Sequence, residues 1–392
     1  MVHPSRSPAD ELPGQLADIS IPALRRAADQ SASYLLTQVK PNGAFVYRRN
    51  LDPAVSMRPR YNWLRHAGTL YSLADYLNRT KREIVLDVIR NGVAHMRQQS
   101  LGPIDEFPGA LAIWTEPKIT GTTDAKSAKL GGAGLALVAM SMLRTLQLDQ
   151  VKLDELRGLA RFILAMQKAD GSFHSKYIPS EGGRSDKWIS LYYPGEAALG
   201  LVMLYKQDND PRWIKGALDT LLYLARIREG KKKVPADHWA LIATKEIWPY
   251  VTADHRKILR AHARRVVDFI LSEQVWEPGS IAHGGFTPDG RTTPTATRLE
   301  GLLAAEFLFR DDSEYHRKLR ISMSWAMRFS LSARFTKGPN TGAVPRAIAR
   351  IMSNHRDART FNRRATEVRI DYVQHALSAF LQYADFLRTQ RQ

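Results

Sequence analysis

The chain of 392 residues contains no cysteine. Disulfide bonds, thiolate metal sites and a cysteine nucleophile are therefore excluded. The sequence also has no run of about 18 apolar residues, so we expect no transmembrane helix. The His-Glu-x-x-His zinc motif, the EF-hand loop, the P-loop and the dinucleotide-binding fingerprint are absent as well. We therefore expect neither a bound metal nor a cofactor.

The first residues, MVHPSRSPADELPGQLADIS, are polar, contain proline and lack the apolar core of a signal peptide. We expect residues 1–20 to form a flexible N-terminal arm and residues 21–392 to form one domain. The protein is expected to be cytoplasmic, or periplasmic or secreted if a leader was removed before Met1. The sequence carries no signal for an oligomeric state.

The formal net charge is +18, from 57 lysines and arginines against 39 aspartates and glutamates. Such an excess favours an anionic partner, namely nucleic acid, a membrane surface or an acidic glycan. The basic residues are dispersed in short groups without an RNP-like motif or zinc-finger spacing, so a nucleic-acid partner is disfavoured. Alternatively, the positive charge only reflects a solvated surface of lysines and arginines that binds no specific partner.

Six apolar segments rich in small residues each begin with a charged or aromatic cluster. They start with YNWLRHAG, KLGGAG, YYPGEAA, DHWALIA, TRLEGLL and RIDYVQHA. A helix that is apolar on all sides is typical of an interior. We therefore predict inner helices over residues 62–78, 129–146, 194–207, 237–249, 296–309 and 371–387.

Amphipathic patterns alternate with these segments and predict outer helices over 21–39, 82–99, 152–168, 211–229, 254–274 and 313–334. Helix pairs that repeat six times, at about 60 residues each, predict an all-α fold. We expect a single (α/α)6 toroid of about twelve helices in an inner and an outer ring. An open α-solenoid is disfavoured, because its shorter repeats need no helices that are buried on every side.

Three turns that follow outer helices carry a family resemblance. They read QVKPNGAF from Gln38, QKADGSF from Gln167 and GGFTPDGR from Gly284. These segments resemble turns of the terpenoid cyclase and protein prenyltransferase toroids, which implies the toroid fold. The Asp-rich protonation motif of squalene cyclases is absent, and the cysteine-containing zinc sets of related toroids are impossible here. The resemblance therefore does not imply those activities.

The first turns of the inner helices are expected to face one funnel. This places there Tyr61, Asn62, Arg65, His66, Lys129, Tyr192, Tyr193, Glu196, Asp237, His238, Trp239, Arg298, Glu300, Arg369, Asp371, Gln374 and His375. Aromatic faces that stack on sugar rings, together with charged groups that bind hydroxyls and move protons, predict a carbohydrate site.

Glu196 and Asp237 begin successive inner helices and form a candidate acid/base pair for cleavage of a glycosidic bond. Tyr193 or His66 would assist them. The alternative is that Glu196 only neutralises a nearby arginine at a crowded helix start, where the helix dipole also favours a carboxylate.

His66, His238 and His375 form a second candidate set, because imidazoles can remove and return a proton on a sugar. Arg65, His238 and His375 are similar in order to the arginine and paired histidines of the N-acylglucosamine 2-epimerase toroids. That likeness implies a sugar epimerase. The sequence departs from it at Leu241, where a supporting carboxylate is expected. Each histidine is alternatively a structural residue bound to neighbouring backbone.

A cationic rim of Arg65, Lys129, Arg298 and Arg369 would bind substrate oxyanions, or would only balance the four carboxylates Glu196, Asp237, Glu300 and Asp371. The long loops over residues 174–191 and 337–366 are predicted to close over the funnel.

These patterns favour a carbohydrate-active enzyme that cleaves an anionic, uronate-type glycan by acid/base catalysis. A sugar epimerase or isomerase with paired histidines is one alternative. A non-catalytic toroid that binds a glycan or peptide in an envelope assembly is another.

Overall fold

The computed structural model describes residues 15–148, 151–352 and 354–390. Within them, six outer helices alternate with six inner helices along the chain. The outer helices are α1 (Ile21–Thr37), α3 (Leu86–Ser100), α6 (Leu153–Ala165), α8 (Pro211–Arg228), α10 (Ala253–Ser272) and α12 (Ser313–Ser332). The inner helices are α2 (Trp63–Thr80), α5 (Leu130–Thr145), α7 (Tyr193–Tyr205), α9 (His238–Ile247), α11 (Thr292–Ala305) and α14 (Ile370–Thr389). Two shorter helices are α4 (Pro117–Thr120) and α13 (Ala358–Ala365).

The inner helices form a closed ring. Each packs on the next in the order α2, α5, α7, α9, α11 and α14, and α14 returns to pack on α2. The all-α (α/α)6 toroid predicted from the sequence is therefore confirmed. No helix of the described residues combines the length and apolarity that crossing a membrane requires.

Glycines let the inner helices α5 and α7 approach closely. A Cβ atom on Gly134 would lie 2.8 Å from the backbone of Glu196, and one on Gly200 would lie 2.9 Å from the carbonyl oxygen of Gly134. These distances are below van der Waals contact, so only glycine permits this packing. The small-residue pattern of the inner segments has this physical cause.

The outer helices bury one face only. On α6, Leu156, Leu159 and Ile163 are fully buried, while Asp154 remains exposed. Burial of each such aliphatic side chain contributes about 1.5–3 kcal/mol. The amphipathic stripe predicted from the sequence thus faces the inner ring.

Helix α11 begins earlier than the sequence pattern predicted. It starts at Thr292, whereas we expected a start at residue 296. Thr297 lies inside the helix, where its hydroxyl donates to the carbonyl of Thr293 at 3.0 Å. Pro294 is tolerated because the first-turn amides of a helix have no intrahelical acceptor.

The predicted N-terminal arm lies partly outside the described residues, which begin at residue 15. The described end of the arm contacts α12. The N–H of Ala17 donates to the Ser324 hydroxyl at 3.1 Å, and the Trp325 indole donates to the carbonyl of Gln15 at 3.1 Å. Residues 15–20 are therefore attached to the outer ring.

Short antiparallel strands join the loops at the starts of the inner helices. Strand β1 (Arg48–Asn50) pairs with β7 (Glu367–Arg369), and a second sheet has the order β2 (Leu101–Pro103), β3 (Leu111–Thr115), β4 (Ser127–Lys129), β5 (Lys176–Ile178) and β6 (Gly183–Ser185). These strands have only three to five residues, so the alternation of apolar and polar residues is too short to identify them in the sequence. Because β4 runs into α5 and β7 into α14, they position the first turns of both inner helices.

Candidate active site

The starts of five inner helices line one cavity of about 350 Å³. This volume lies within the range of small-molecule sites. Nine of the residues that the sequence predicted for the funnel line it, namely Arg65, Tyr192, Glu196, His238, Trp239, Arg298, Arg369, Asp371 and His375. The closed ring thus brings together side chains from both ends of the chain.

His238 and His375 stand side by side in the cavity wall, with ring centroids 5.4 Å apart in an edge-to-face arrangement. Nδ1 of His375 lies 2.7 Å from a carboxylate oxygen of Glu300. Both ring nitrogens of His238 are buried and have no hydrogen-bond partner among the described residues. Burial, with His375 and Arg65 acting in the same direction, lowers the pKa of His238 well below its ordinary value. His238 is therefore neutral near pH 7 and can accept a proton.

Glu196 lies in the first turn of α7 and is only 3% exposed. Its oxygen Oε2 has no hydrogen-bond partner among the described residues. Burial raises the pKa of Glu196 to about 8, although Arg65 opposes the shift. The carboxyl group is therefore protonated at neutral pH and can donate a proton or a hydrogen bond. Gly131 of α5 makes room for it, since a Cβ atom there would lie 2.1 Å from Oε2.

The raised pKa of Glu196 predicts a pH-dependent effect on stability. The unfolded chain releases this proton above about pH 4.5, whereas the folded protein keeps it up to about pH 8. The contribution of Glu196 to the free energy of unfolding should therefore fall across this interval, by at most about 1.4 kcal/mol per pH unit. Relative to the wild type, Glu196→Gln should gain stability as the pH rises. Urea unfolding at several pH values measures this gain, and a difference that stays constant with pH would contradict it.

Asp371 is the second carboxylate in the cavity wall. Its Oδ2 lies 3.4 Å from Nε of Arg65, and its Oδ1 accepts a hydrogen bond from Nε of Arg369 at 2.9 Å. Burial favours the neutral acid, but Arg65 and Arg369 hold the pKa of Asp371 below its ordinary value. The two cavity carboxyls, Glu196 and Asp371, therefore have pKa values shifted in opposite directions.

Asp237 is fully buried, and its carboxylate is already engaged. Oδ2 accepts a hydrogen bond from Nη2 of the buried Arg228 at 2.7 Å, and Oδ1 accepts one from the N–H of Ala240 at 3.1 Å. The group thus neutralises a buried guanidinium and caps α9. Both carboxylate oxygens of Asp237 are engaged and the residue does not line the main cavity, so its predicted acid/base pairing with Glu196 gains no support from this arrangement and stays a prediction.

His66 also lies away from the cavity. Its Nδ1 is 2.7 Å from the hydroxyl of Tyr61, and its Nε2 is 2.9 Å from the carbonyl oxygen of Gly92. Burial lowers the pKa of His66 to about 3, although the Gly92 carbonyl opposes the shift. His66 is a neutral residue that connects α2 to α3, so its predicted assisting role has no support from this arrangement.

The other predicted site residues occupy neighbouring positions. Three of them line a separate cavity of about 110 Å³, namely Tyr61, Asn62 and Lys129. Tyr193 packs edge-to-face on Trp188 with ring centroids 5.5 Å apart. Glu300 and Gln374 are buried beside His375. These last two support the wall of the main cavity.

Eight residues of the cavity wall were missed from the sequence, namely Ala236, Arg291, Thr293, Pro294, Thr297, Arg346, Arg364 and Tyr372. Thr293 and Pro294 were missed because the predicted start of α11 was too late. Arg346 and Arg364 lie within the loop segment 337–366 that we expected to cover the funnel. The wall contains six arginines and two carboxylates, and Glu273, Glu367 and Asp289 pair with Arg298, Arg364 and Arg291, so the cavity keeps a moderate positive excess.

One group of three side chains among the described residues has ligand atoms close enough to hold a metal ion. His238, Glu300 and His375 each offer one such atom, and these atoms lie within 4.8 Å of one another. Two imidazoles and a carboxylate are a known ligand set for Fe²⁺ or Zn²⁺. Here Glu300 and His375 are hydrogen-bonded to each other at 2.7 Å. That contact is typical of a carboxylate that orients an imidazole ring.

Comparisons with known proteins place the fold. No family model and no curated protein sequence matches the chain. Cellobiose 2-epimerase from Bacillus thermoamylovorans superposes with a TM-score of 0.68 and 9% identity, over 93% of this chain and 99% of that one. A D-mannose isomerase superposes with a TM-score of 0.64 and 12% identity, over 94% and 98%.

A GH76 α-mannanase from Bacteroides thetaiotaomicron is a further similar structure, with a TM-score of 0.60 and 12% identity over 94% of this chain and 97% of that one. At such identities the similarity establishes the fold alone. The chain has the fold of the (α/α)6 toroid enzymes, as its repeat pattern predicted. A closer likeness to terpenoid cyclases stays a prediction.

Proposed function

We propose that the protein is a sugar isomerase that converts an anionic aldose and its ketose in the toroid cavity. The observation that carries this proposal is the histidine pair. His238 has no hydrogen-bond partner among the described residues, and Nδ1 of the adjacent His375 lies 2.7 Å from a carboxylate oxygen of Glu300. His238 is neutral and can accept a proton, although its lowered pKa makes it a weaker base than a free imidazole. The fold similarity to a D-mannose isomerase and a cellobiose 2-epimerase supports sugar chemistry by analogy.

In the proposed reaction, His238 takes the proton from C2 of the open-chain aldose. The electrons of the C2–H bond form the C1–C2 double bond, and the negative charge that develops on O1 is bound by Arg65. His375, oriented by Glu300, moves the hydroxyl proton from O2 to O1. His238 then returns its proton to C1. This step yields the ketose and leaves both imidazoles in their starting protonation states.

The spacing of the rings favours isomerisation over inversion at C2. Their centroids are 5.4 Å apart and the rings are in edge-to-face contact, so a sugar carbon does not fit between them. Both imidazoles would therefore approach the substrate from one side. Epimerisation needs a proton on the opposite face and receives less support.

Charge supports an anionic substrate. The six arginines of the cavity wall outnumber the carboxylates in and beside it, namely Glu196, Asp371, Glu273, Glu367 and Asp289. Guanidinium groups bind carboxylates and phosphates through paired hydrogen bonds. A purely structural or glycan-binding role is less well supported, because His238 and Glu196 line the cavity with polar atoms that have no partner among the described residues.

The proposal is tested by incubating the protein in D₂O with anionic and neutral aldoses and following the mixtures by NMR. We expect a ketose with deuterium at C1, formed faster from aldoses that carry a carboxylate or phosphate. In H₂O, an aldose deuterated at C2 should yield a ketose with part of the deuterium at C1, because the same imidazole removes the deuteron from C2 and delivers it to C1. The appearance of a C2 epimer alone, or no exchange with any aldose, would refute the proposal.

Cleavage of a glycosidic bond is the second candidate, supported by the opposite pKa shifts of Glu196 and Asp371. Glu196 would be the acid, and Asp371 would take the place of Asp237 as the base. Its ion pairs with Arg65 and Arg369 weaken Asp371 as a base. Release of reducing ends from uronate oligosaccharides, lost in Glu196→Gln but kept in His238→Asn, would establish cleavage instead.

A further inference from the structure

Three arginines line both the main cavity and a neighbouring cavity of about 550 Å³. They are Arg291, Arg346 and Arg364, here called the arginine triad. The main cavity, at about 350 Å³, is near the lower end of the range for ligand sites. A substrate with a substituent beyond one sugar ring would therefore extend past the triad into the second cavity.

The triad comes from three chain segments that backbone hydrogen bonds hold together. The N–H of Thr292 donates to the carbonyl of Arg346 at 3.0 Å, and the N–H of Ala347 donates to the carbonyl of Ala365 at 3.1 Å. The start of α11, the loop after α12 and the end of α13 are thus joined. These backbone hydrogen bonds fix the three positions from which the arginine side chains reach both cavities.

The positive charge of the triad is only partly balanced. Arg364 pairs with Glu367 at 2.7 Å, and Arg291 pairs with Asp289 at 3.0 Å. The Arg346 guanidinium lies 4.7 Å from the centre of the Phe361 ring, and its Nη1 is buried without a hydrogen-bond partner among the described residues. Burial, together with the like charges of Arg364 and Arg291, lowers the pKa of Arg346. An anion bound here would supply the missing partner and relieve the repulsion.

The start of α11 adds neutral hydrogen-bond donors at the same place. Arg291 is the N-cap residue of this 14-residue helix, and Thr293 in the first turn lines the main cavity. The hydroxyl of Thr293 has no partner among the described residues. In this turn the N–H of Thr292 already donates to the carbonyl of Arg346 and Pro294 has no N–H, so Thr293 and the helix dipole are the features that favour an anion here.

We infer that the arginine triad and the first turn of α11 form an oxyanion subsite for a phosphate ester or a carboxylate that the sugar substrate carries. The subsite is separate from the histidine pair and orients the substrate without taking part in proton transfer. The inference deepens the proposed function. Binding at the subsite does not depend on turnover, so the two can fail independently.

Calorimetric titration with inorganic phosphate and with methyl glucuronide tests the subsite. Each hydrogen bond to a charged group contributes about 1.5–3 kcal/mol, so Arg346→Gln should weaken binding about 10- to 100-fold. Phosphate binding without glucuronide binding would assign a sugar phosphate, and the reverse would assign a uronate. His238→Asn should bind either probe as the wild type does, even where it has lost turnover.

Arg350→Gln is the matched control, because Arg350 lies in the same loop but is exposed and pairs with Asp52. It should leave the affinity for both probes unchanged. Arg346→Lys keeps the charge if the glutamine variant fails to fold, and should still weaken binding because it loses the guanidinium fork. Failure of both probes to bind the wild type at millimolar concentration, or equal affinity in the Arg346 variants, would overturn the inference.

Discussion

Replacement of His238 by asparagine is expected to lower turnover of the sugar about 10²- to 10⁴-fold, the usual contribution of a general base. The ring makes no hydrogen bond with the described residues, so asparagine breaks no such contact. Its amide cannot accept the proton that a neutral imidazole accepts. Exchange of solvent deuterium into the sugar should fall together with turnover, because both require the same proton abstraction.

The matched control is His174→Asn, since His174 lies outside the main cavity and pairs with Asp186 at 2.9 Å. This variant should keep wild-type turnover. The far-UV circular dichroism and melting temperature of His238→Asn should stay close to those of the wild type. If His238→Asn isomerises the sugar at a rate near that of the wild type, His238 is not the base.

The largest loss of stability is expected from Asp237→Asn, at about 3–5 kcal/mol in the free energy of unfolding. Asparagine can still cap α9, but it leaves the guanidinium of Arg228 buried without a counter-charge. The side chains of both residues are almost fully buried, at 4% exposure for Arg228 and 0% for Asp237. Urea unfolding followed by circular dichroism measures the change.

Two companion variants separate this ion pair from the helix cap. Asp210→Asn changes a similar cap on α8, where Arg212 is largely exposed, and should cost no more than about 1 kcal/mol. Adding Arg228→Met to Asp237→Asn should recover part of the lost stability, because the unpaired buried charge is removed. A double variant that is no more stable than Asp237→Asn alone would contradict the assignment.

The two roles predicted for Asp237 and His238 diverged although the residues are adjacent in sequence. Each lies at the start of α9, and the pattern DHWALIA predicted only that both face the funnel. Arg228, at the end of α8, captures the carboxylate of Asp237. The sequence contains no signal for this ion pair, because it depends on how the end of α8 lies against the start of α9.

The support of His375 by Glu300 is another tertiary feature. These residues lie on α14 and α11, consecutive inner helices that pack on each other although about 75 residues separate the two side chains in sequence. Leu241 stands where the epimerase-like pattern expects a supporting carboxylate, so the sequence suggested that support was missing. In the structure, the histidine pair is supported through His375 instead.

The sequence by itself determined the all-α toroid and the polar first turns of its inner helices. Burial on all sides and burial on one side leave different periodic patterns within a single helix, so each can be recognised locally. Tertiary structure alone decided which carboxylates form ion pairs, which histidine of the cavity makes no hydrogen bond with the described residues, and which arginines line the cavity. Those properties depend on distances of a few ångströms between separate segments, and the periodicity of one segment carries no information about its distant partners.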